Sequence, residues 1–425
     1  MSGIVQNNIL RSSGTVAVSA AGLNWNSTII TGSTATVEAG NGYWINTTSN
    51  TCTITLPSSA EAGDQIVLID FLRTWGTNKI IIDSNGLNYQ GNPDTYTVEY
   101  TTSGQSLNIV YSDDTKGWIP LDDDVAALEP VAPPTQRAIF AFGTTGSVTN
   151  VKNLAGSNGV IAADVTGVGT SRHQLAASNY GGDKAIFAYG NTGSLVNMSN
   201  LVNNVGVVGT DVTGVGTARQ YTEGARYGGD KALFAFGRNG DTRLSLKNLV
   251  TNQGVIGTDV SGVGTARHRL AAAEYGLDKA IYAYGMNSSD NYVSMSNLVS
   301  NEGVVAADVT GVGTVRNVLA AAGYGGDKAI FGYGFGSGNA LTAVKNLVNS
   351  SGVVAADVSG VGTPREKLKA ASYGGDKAMF AYGFASGSYL STKNLVNNSG
   401  VVASDTTGVG TARRDLAAAG YSASA

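Results

Sequence analysis

The sequence contains one cysteine, two histidines and seven prolines in 425 residues. The single Cys52 excludes an intrachain disulfide framework, and we expect it to be a small buried apolar residue. His173 and His268 occupy equivalent places in two different repeats, so they do not form the i, i+4 pair of a helical zinc site. We therefore expect no metal, no cofactor and no catalytic centre built on histidine or cysteine.

Charge is also sparse, because charged residues make up 14% of the chain and the net charge is −4. Nucleic-acid-binding domains are usually basic, so this balance argues against a nucleic acid partner. No apolar run has the length of a membrane span, and the N-terminal segment lacks the basic start and apolar core of an export signal. We expect a protein that is made in a cytoplasm and does not insert into a membrane.

The chain is rich in glycine, with 58 residues, and in internal repeats. Two markers each recur six times with spacings of 47 to 49 residues. An arginine closes the phrase GT-x-R at Arg172, Arg219, Arg267, Arg316, Arg365 and Arg413. An aspartate lies three residues before a Gly-Val-Gly turn at Asp164, Asp211, Asp259, Asp308, Asp357 and Asp405. A residue present in every copy is best explained by a structural need of every repeat, such as a turn cap or an ion pair between repeats.

Each repeat contains four short apolar runs separated by Gly, Asn, Asp and Ser, which is typical of successive strands and tight turns. In the third complete copy the runs are 268–275, 279–284, 292–299 and 303–309. Four strands per repeat without an amphipathic helix predict the blades of a β-propeller. The first copy lacks its innermost strand and the last copy ends with a spare one, 415–421, which predicts that the C-terminal strand closes the ring.

The repeated pattern R-x-x-L-A-A-A-x-Y-G-x-D-K-A-I-[FY]-x-Y-G resembles the kelch repeat, in which an arginine opens the inner strand and an aromatic residue followed by glycine ends the second. The resemblance covers residues 137–425. It departs from the family because the second glycine of the usual pair and the later tryptophan are absent. The resemblance implies a divergent six-bladed kelch-like propeller.

Before the repeats, strand-like runs bounded by turn residues predict a compact β-sandwich-like module at 41–121, whose core would contain the tryptophans of the chain. We expect an attachment arm at 1–40 and a linker at 122–136, which contains three prolines and an acidic triplet. The fold class predicted is thus all-β, with this module followed by a six-bladed propeller at 137–425.

Two phrases of the module, GNGYWINTTSNTCTITLPSSAEAGDQIVLID and YSDDTKGWIPL, are similar to modules of tail fibres and other appendage proteins of bacteriophages, especially marine and cyanobacterial phages. The repeat phrase LAAAGYGGDKAIFGYG resembles repeats from the same class of virion proteins. The resemblance implies a protein of the virion, assembled on the phage particle.

The copies differ most in the loop after the second strand and in the residues after each GT-x-R. Antiparallel strands bring these segments to one face, and aromatic rings beside Asn, Asp and Arg suit a sugar or a protein loop. We predict that this face binds a receptor through Arg238, Asn239, Asp241, Arg243, Asn287, Asp290, Asn291, Tyr292, Phe335, Phe384 and Tyr389. Glu223 and Lys369 replace alanine in blades that face each other across the axis, so we predict opposite charges near the mouth of the channel.

We therefore predict a tail fibre or receptor-binding type of appendage protein that recognises the host surface and is not an enzyme. The expected partners are other virion proteins, through the N-terminal region, and a host glycan or protein, through the propeller; a homotrimer is the expected assembly. One alternative is a structural virion protein, such as a head fibre, decoration, tail or baseplate component, whose propeller contacts other viral proteins. The second alternative is a glycan-cleaving enzyme, because two converging carboxylates are sufficient for glycoside hydrolysis.

Overall fold

The computed structural model describes residues 23–121, 125–130 and 136–422. In these ranges the regular structure is β-strand apart from a short 3-10 helix at Ser337–Asn339. The all-β class predicted from the sequence is confirmed. The chain divides into two compact units, Met1–Val131 and Ala132–Ala425, which we name unit 1 and unit 2.

Unit 1 contains ten described strands arranged in two five-stranded sheets, with orders β1-β3-β5-β8-β9 and β10-β7-β6-β4-β2. The strands are β1 Asn24–Ile30, β2 Thr34–Thr36, β3 Asn41–Ile45, β4 Cys52–Thr55, β5 Gln65–Asp70, β6 Ile80–Asp83, β7 Tyr96–Tyr100, β8 Ser106–Tyr111, β9 Trp118–Pro120 and β10 Val125–Pro130.

The first six strands of unit 1 alternate between the two sheets. Each of β3 to β6 pairs in parallel with the strand two places earlier, and the later strands pair antiparallel. Alternate residues of both sheets point to one shared core, which includes Cys52, Trp75 and Trp118, each with no exposed area. This core explains why the apolar residues of the module recur with a period of two.

Two domain boundaries and two core assignments differ from the sequence interpretation. Strands β1 and β2 belong to the sheets of unit 1, so at least residues 24–36 are not a separate arm; residues 1–22 of that arm lie outside the described residues. Strand β10 pairs with β7, so 125–130 is not a linker. Trp25 and Trp44 lie outside the core. Trp25, on the edge strand β1, is 44% exposed, because a residue on an edge strand has neighbours on one side only, and Trp44 is half-buried beside it.

Unit 2 contains twenty-five described strands. They are β11 Arg137–Ala141, β12 Lys152–Ala155, β13 Ala176–Tyr180, β14 Lys184–Ala188, β15 Ser199–Val202, β16 Glu223–Tyr227, β17 Lys231–Ala235, β18 Arg238–Asn239, β19 Thr242–Arg243, β20 Lys247–Val250, β21 Arg267–His268, β22 Ala271–Tyr275, β23 Lys279–Ala283, β24 Met286–Asn287, β25 Ser296–Val299, β26 Arg316–Asn317, β27 Ala320–Tyr324, β28 Lys328–Gly332, β29 Phe335–Gly336, β30 Ala340–Leu341, β31 Lys345–Val348, β32 Lys369–Tyr373, β33 Lys377–Ala385, β34 Ser388–Val396 and β35 Ala417–Tyr421.

Six three-stranded antiparallel sheets repeat along unit 2, and we number them repeat sheets 1 to 6. Their orders are β35-β11-β12, β13-β14-β15, β16-β17-β20, β22-β23-β25, β27-β28-β31 and β32-β33-β34. The predicted pairing of the C-terminal strand with the first copy is confirmed, because β35 pairs with β11 from Arg137↔Tyr421 to Ala141↔Ala417. Residues separated by most of the chain thus complete repeat sheet 1.

The fourth run of each repeat, predicted as a strand, forms isolated bridges to the third strand. In repeat sheet 4 these bridges join Val305 to Val299 and Val309 to Ser296. Between them lies Asp308, whose carboxylate bonds to the link from the preceding repeat. The fourth segment therefore does not form a continuous hydrogen-bond ladder with the third strand, because the part around the aspartate connects two repeats.

Two rings of backbone hydrogen bonds connect the six repeat sheets. At one end, each amide donates to the carbonyl of the equivalent residue one repeat earlier, with N···O distances between 2.8 and 3.4 Å. The members of this ring, which we name the mouth ring, are Gln174, Tyr221, Arg269, Val318, Lys367 and Asp415. The amide of Gln174 donates to Asp415, so the sequence of hydrogen bonds returns to its start.

The second ring, which we name the turn ring, lies at the turns between first and second strands. Its amide donors are Gly181, Gly228, Gly276, Gly325, Gly374 and Ser422, and each donates to a carbonyl of the next repeat sheet at 2.6 to 2.9 Å. All six donors have a φ between 58° and 64°. Five are glycine, the residue that adopts this conformation most easily.

Candidate functional site

Six buried arginines join neighbouring repeats. The Nε of Arg267 donates to the backbone oxygen of Tyr284 at 3.0 Å, and its guanidinium lies 4.3 Å from the ring centre of Phe236, which follows the second strand of the preceding repeat. The equivalent stacks are Arg172 on Phe142, Arg219 on Tyr189, Arg316 on Tyr284, Arg365 on Tyr333 and Arg413 on Tyr382. These cations have no exposed area and pack between repeats.

The repeated aspartates bond to the links between repeats. Asp308 accepts hydrogen bonds from the backbone nitrogen and hydroxyl of Thr265, at 2.9 and 2.7 Å, and from the amide of Asn297 at 2.9 Å. Partial burial acts to raise its pKa, but these hydrogen bonds and the nearby Arg267 leave the pKa below the usual value. The sixfold markers therefore have the structural role expected of residues that every repeat needs.

Variation between the repeats is concentrated at one end of unit 2. The residue after each buried arginine pairs with the start of the loop that follows the second strand, as in the bridges Thr144↔Arg414, His173↔Asn191, Gln220↔Arg238, His268↔Met286, Asn317↔Phe335 and Glu366↔Phe384. Both variable segments of every repeat thus meet, and we name this region the variable end. The turn ring lies at the opposite end of the antiparallel strands, which we name the constant end.

The two arginines among the predicted site residues, Arg238 and Arg243, lie in the hairpin β18-β19 and belong to a basic cluster. Arg238 lies 5.6 Å from the ring centre of Tyr221, and Arg269 of the next repeat lies 4.9 Å from the same ring. Arg243 forms an ion pair with the predicted residue Asp290. The structure therefore brings cations of repeats 3 and 4 around one tyrosine.

His268 completes this basic cluster. The side chain has no exposed area, its Nδ1 lies 3.2 Å from the backbone oxygen of Met286, and its ring packs edge-on against Tyr221 at 5.8 Å. Burial lowers the pKa of His268 to about 3, with further lowering by Arg269, Arg238 and Arg243. The imidazole is consequently neutral, and the positive charge of the cluster is carried by the three arginines.

A second cluster contains the predicted residues Phe384 and Tyr389. Their rings pack edge to face at 5.4 Å, and the guanidinium of Arg414 lies 4.3 Å from the centre of Phe384 and 5.4 Å from that of Tyr389. The Nε of Arg414 is 3.6 Å from a carboxylate oxygen of Asp415. Burial raises the pKa of Asp415 to about 6, against the opposing effect of Lys367 and Arg414.

Of the remaining predicted residues, some form contacts with other side chains or with the backbone, and others are exposed to solvent. Tyr292 and Phe335 form an aromatic pair at 6.4 Å across repeats 4 and 5. Asn239 donates to the backbone of its own repeat, and Asn287 accepts from the backbone nitrogens of Ser289 and Asn291, so these two amides shape their loops. Asp241 and Asn291 are exposed.

Glu223 and Lys369 form an ion pair, with 14% and 16% of their side chains exposed. They line a small pocket at the centre of the variable end. The pocket is also lined by all six mouth-ring residues and by five leucines that directly precede inner strands, Leu175, Leu270, Leu319, Leu368 and Leu416. Each of the six repeats therefore contributes residues to the lining of this pocket.

The sequence analysis did not select Tyr221, His268, Arg269 or Arg414 as site residues. A signal for them existed, because they lie among the residues after GT-x-R that vary between copies. The missing information was the pairing of these residues with the loops of their own repeats, which places them beside Arg238 and Phe384. The variable residues after GT-x-R and the variable loops after the second strands therefore belong to one surface.

Comparisons with protein-family models and with curated proteins found no match to this sequence. Within residues 23–121, 125–130 and 136–422, no group of three or more His, Cys, Asp or Glu side chains is placed to hold a metal ion. No helix in the described part of the chain is long and apolar enough to cross a membrane. The argument for function therefore rests on the geometry of the variable end.

Proposed function

We propose that unit 2 is a six-bladed β-propeller and that the chain is a bacteriophage virion appendage protein that binds the host surface through the variable end. Three features support the propeller. The mouth ring and the turn ring each return to their starting repeat, the inner strands β35, β13, β16, β22, β27 and β32 contact one another in cyclic order, and β35 completes the sheet begun by β11. A closed ring of six blades accounts for all three features.

The observation that carries the functional proposal is the concentration of variation at one end. The residues after the six buried arginines and the loops after the six second strands are hydrogen-bonded neighbours, while the arginines and aspartates that hold the repeats together are constant. A constant scaffold that supports variable loops is typical of recognition proteins. Gln136, near the start of unit 2, accepts a turn-ring hydrogen bond from Gly374 with its backbone oxygen, so this residue lies at the constant end of unit 2 and away from the variable loops.

An exposed aromatic group in unit 1 supports a role in attachment to other virion proteins. Trp25 stacks on Trp44 at 4.9 Å, Trp44 contacts Phe71 at 6.1 Å, and Trp25 and Phe71 are 44% and 43% exposed. Large apolar side chains grouped on a surface are characteristic of protein interfaces. We propose that unit 1 attaches the chain to the particle, as a homotrimer, and that adhesion gains avidity from several copies.

The test is binding of the full chain to intact cells of candidate bacterial hosts. The variant changes Tyr292, Phe335, Phe384 and Tyr389 together to alanine. A matched control changes three exposed valines on the outer fourth segments, V207A/V304A/V353A, whose exposed fractions are 54%, 55% and 61%. We expect saturable binding by the wild type and the control, with loss in the aromatic variant although its circular dichroism spectrum is unchanged. Equal binding by all three proteins, or no binding to any host, contradicts the proposal.

One observation favours a second candidate function, glycan cleavage. Glu223 and Asp415 line the same pocket, and burial raises the pKa of both carboxyl groups, as required of a general acid. Each carboxylate also has a cation beside it, Lys369 and Arg414 respectively, which favours a structural role. Release of reducing sugar from host polysaccharide by the wild type, abolished in E223Q and in D415N, would establish the enzyme.

A further inference from the structure

The basic cluster of repeats 3 and 4 carries more positive charge than its own side chains neutralise. Arg238, Arg243 and Arg269 surround Tyr221 and His268, and the ion-paired carboxylate of the cluster is that of Asp290, which is 67% exposed. Three guanidinium groups beside one paired carboxylate leave an excess of two positive charges. Of the other nearby carboxylates, Glu223 is paired with Lys369, Asp415 lies beside Arg414 and Lys367, and Asp241 is exposed at the hairpin tip.

Hydrogen-bonding capacity in the cluster is unused as well. The Nε atoms of Arg243 and Arg269 are buried and have no hydrogen-bond acceptor among the described residues. His268 Nε2 is also buried and has no hydrogen-bond donor there. Arg238 is satisfied by a neutral group, because the side-chain oxygen of Gln220 lies 2.9 Å from both its Nε and its Nη2 when the amide faces it. Buried polar atoms without partners are costly, and a ligand that supplies acceptors removes the cost.

Aromatic surface lies next to these cations. Tyr292 follows Asp290 by two residues in the same loop and is half-buried against Phe335. Saccharides combine a ring with apolar C–H faces and, in acidic forms, a carboxylate or sulfate group. A guanidinium binds such an anionic group through paired hydrogen bonds, and an aromatic ring packs against the sugar face.

From this arrangement we infer that the variable end holds a binding site for an acidic saccharide between repeats 3 and 4. Arg243 and Arg269 bind the carboxylate or sulfate group, and the Tyr292–Phe335 pair contacts the sugar ring. This inference rests on the proposed function, adhesion to the host surface, and names the chemical class of the receptor and the part of the variable end that recognises it.

The experiment uses the full chain and pairs of saccharides that differ only in charge. Oligogalacturonate is compared with its methyl ester, and dextran sulfate with dextran, which separates a carboxylate from a sulfate ligand. We expect binding to at least one of the charged members, at least tenfold tighter than to its neutral counterpart, and weaker in high salt because ionic screening reduces the attraction. Equal affinity for charged and neutral members, or no binding to either charged saccharide, overturns the inference.

The variant is R243Q/R269Q, and the control is K184Q/K279Q. Glutamine suits the backbone at position 269, because Gln174 is the mouth-ring equivalent of Arg269. The control removes the same number of positive charges at the constant end, where Lys184 and Lys279 begin second strands and their side chains are 42% and 44% exposed. We expect the variant to bind the charged saccharide at least tenfold more weakly, since hydrogen bonds to charged groups are lost, and the control to bind as the wild type does. A loss of the same size in the control contradicts the location.

Cell binding distinguishes failure of this inference from failure of the proposed function. If host cells bind wild type and R243Q/R269Q equally well, the acidic-saccharide site is wrong and adhesion stands. If no host cell binds the wild type, adhesion is wrong, and the saccharide pairs alone decide whether the site exists.

Discussion

Removal of the positive charge of Lys369 is expected to destabilise unit 2 in a pH-dependent way. Lys369 and Glu223 form a largely buried ion pair at the pocket of the variable end. Burial raises the pKa of Glu223, and Lys369 opposes this rise. In K369M the carboxyl group remains buried and loses its partner, so its pKa in the folded state rises further.

The magnitude follows from the cost of an unpaired buried charge. Two unit charges about 4 Å apart attract by about 4 kcal/mol at an effective dielectric constant near 20, and loss of one partner of a buried pair costs about 3–5 kcal/mol. Because both side chains keep some contact with water, we expect a loss of about 3 kcal/mol in the free energy of unfolding at pH 8. The loss develops as the pH rises above about 4.3, the unfolded value for glutamate, and is small at pH 4, where the carboxyl group is protonated.

The double variant E223Q/K369M is the decisive control, because it removes both charges and is expected to recover most of the stability. Urea unfolding is followed by far-ultraviolet circular dichroism for the whole chain and by tryptophan fluorescence for unit 1, since all four tryptophans precede residue 119. The fluorescence transition should be the same in every variant. Equal destabilisation at pH 4 and pH 8, or a double variant as unstable as K369M, would refute the reasoning.

Three further predictions concern unit 2. R267K should cost about 3 kcal/mol by urea unfolding, because lysine cannot replace the bonds of Arg267 to three backbone oxygens; a change below about 1 kcal/mol contradicts this role. D415N should be more stable than the wild type by about 2–3 kcal/mol at pH 7 and equal at pH 4, because the raised folded pKa of Asp415 makes the wild type lose stability between about pH 4 and pH 6; identical pH profiles contradict it. S422G should raise the melting temperature, with a gain of about 0.5–1 kcal/mol, because Ser422 has a φ of 64° where the other turn-ring donors are glycine; a lower melting temperature contradicts it.

The repeat architecture could be predicted from the sequence because its signals are local and occur six times. The second strands, such as Lys279–Ala283, have buried residues on both faces, and their apolar runs identify them. The missing strand of the first copy and the spare strand of the last were sufficient to predict the pairing of β35 with β11. Errors concerned elements whose pairing is not encoded by a local pattern.

Unit 1 illustrates this limit. Strands β1 and β2 contain short alternating runs that indicate strands, but nothing in Asn24–Ile30 specifies parallel pairing with β3. Parallel and antiparallel neighbours show the same alternation when one face of a sheet is buried. The boundary at residue 40 was therefore wrong although the strands were recognised.

The candidate site was predictable in part for a related reason. Loop residues such as Arg243 and Asp290 stand out by their composition, and the structure pairs them. Tyr221 and Arg269 are less conspicuous, because their place around the pocket depends on a positive φ, 52° and 57°, and on hydrogen bonds between repeats. A single sequence contains no direct sign of either feature.

The mouth ring explains why variation is tolerated at the centre of the candidate site. Its hydrogen bonds use only backbone amides and carbonyls, and all six residues have a φ between 47° and 57°. Even Val318, a β-branched residue for which this conformation is strained, adopts it, so the ring and not the side chain determines the backbone there. The side chains are consequently free to be amide, aromatic, cationic, apolar or acidic. Substitution at these positions changes the chemistry of the pocket and leaves the hydrogen bonds between repeats in place.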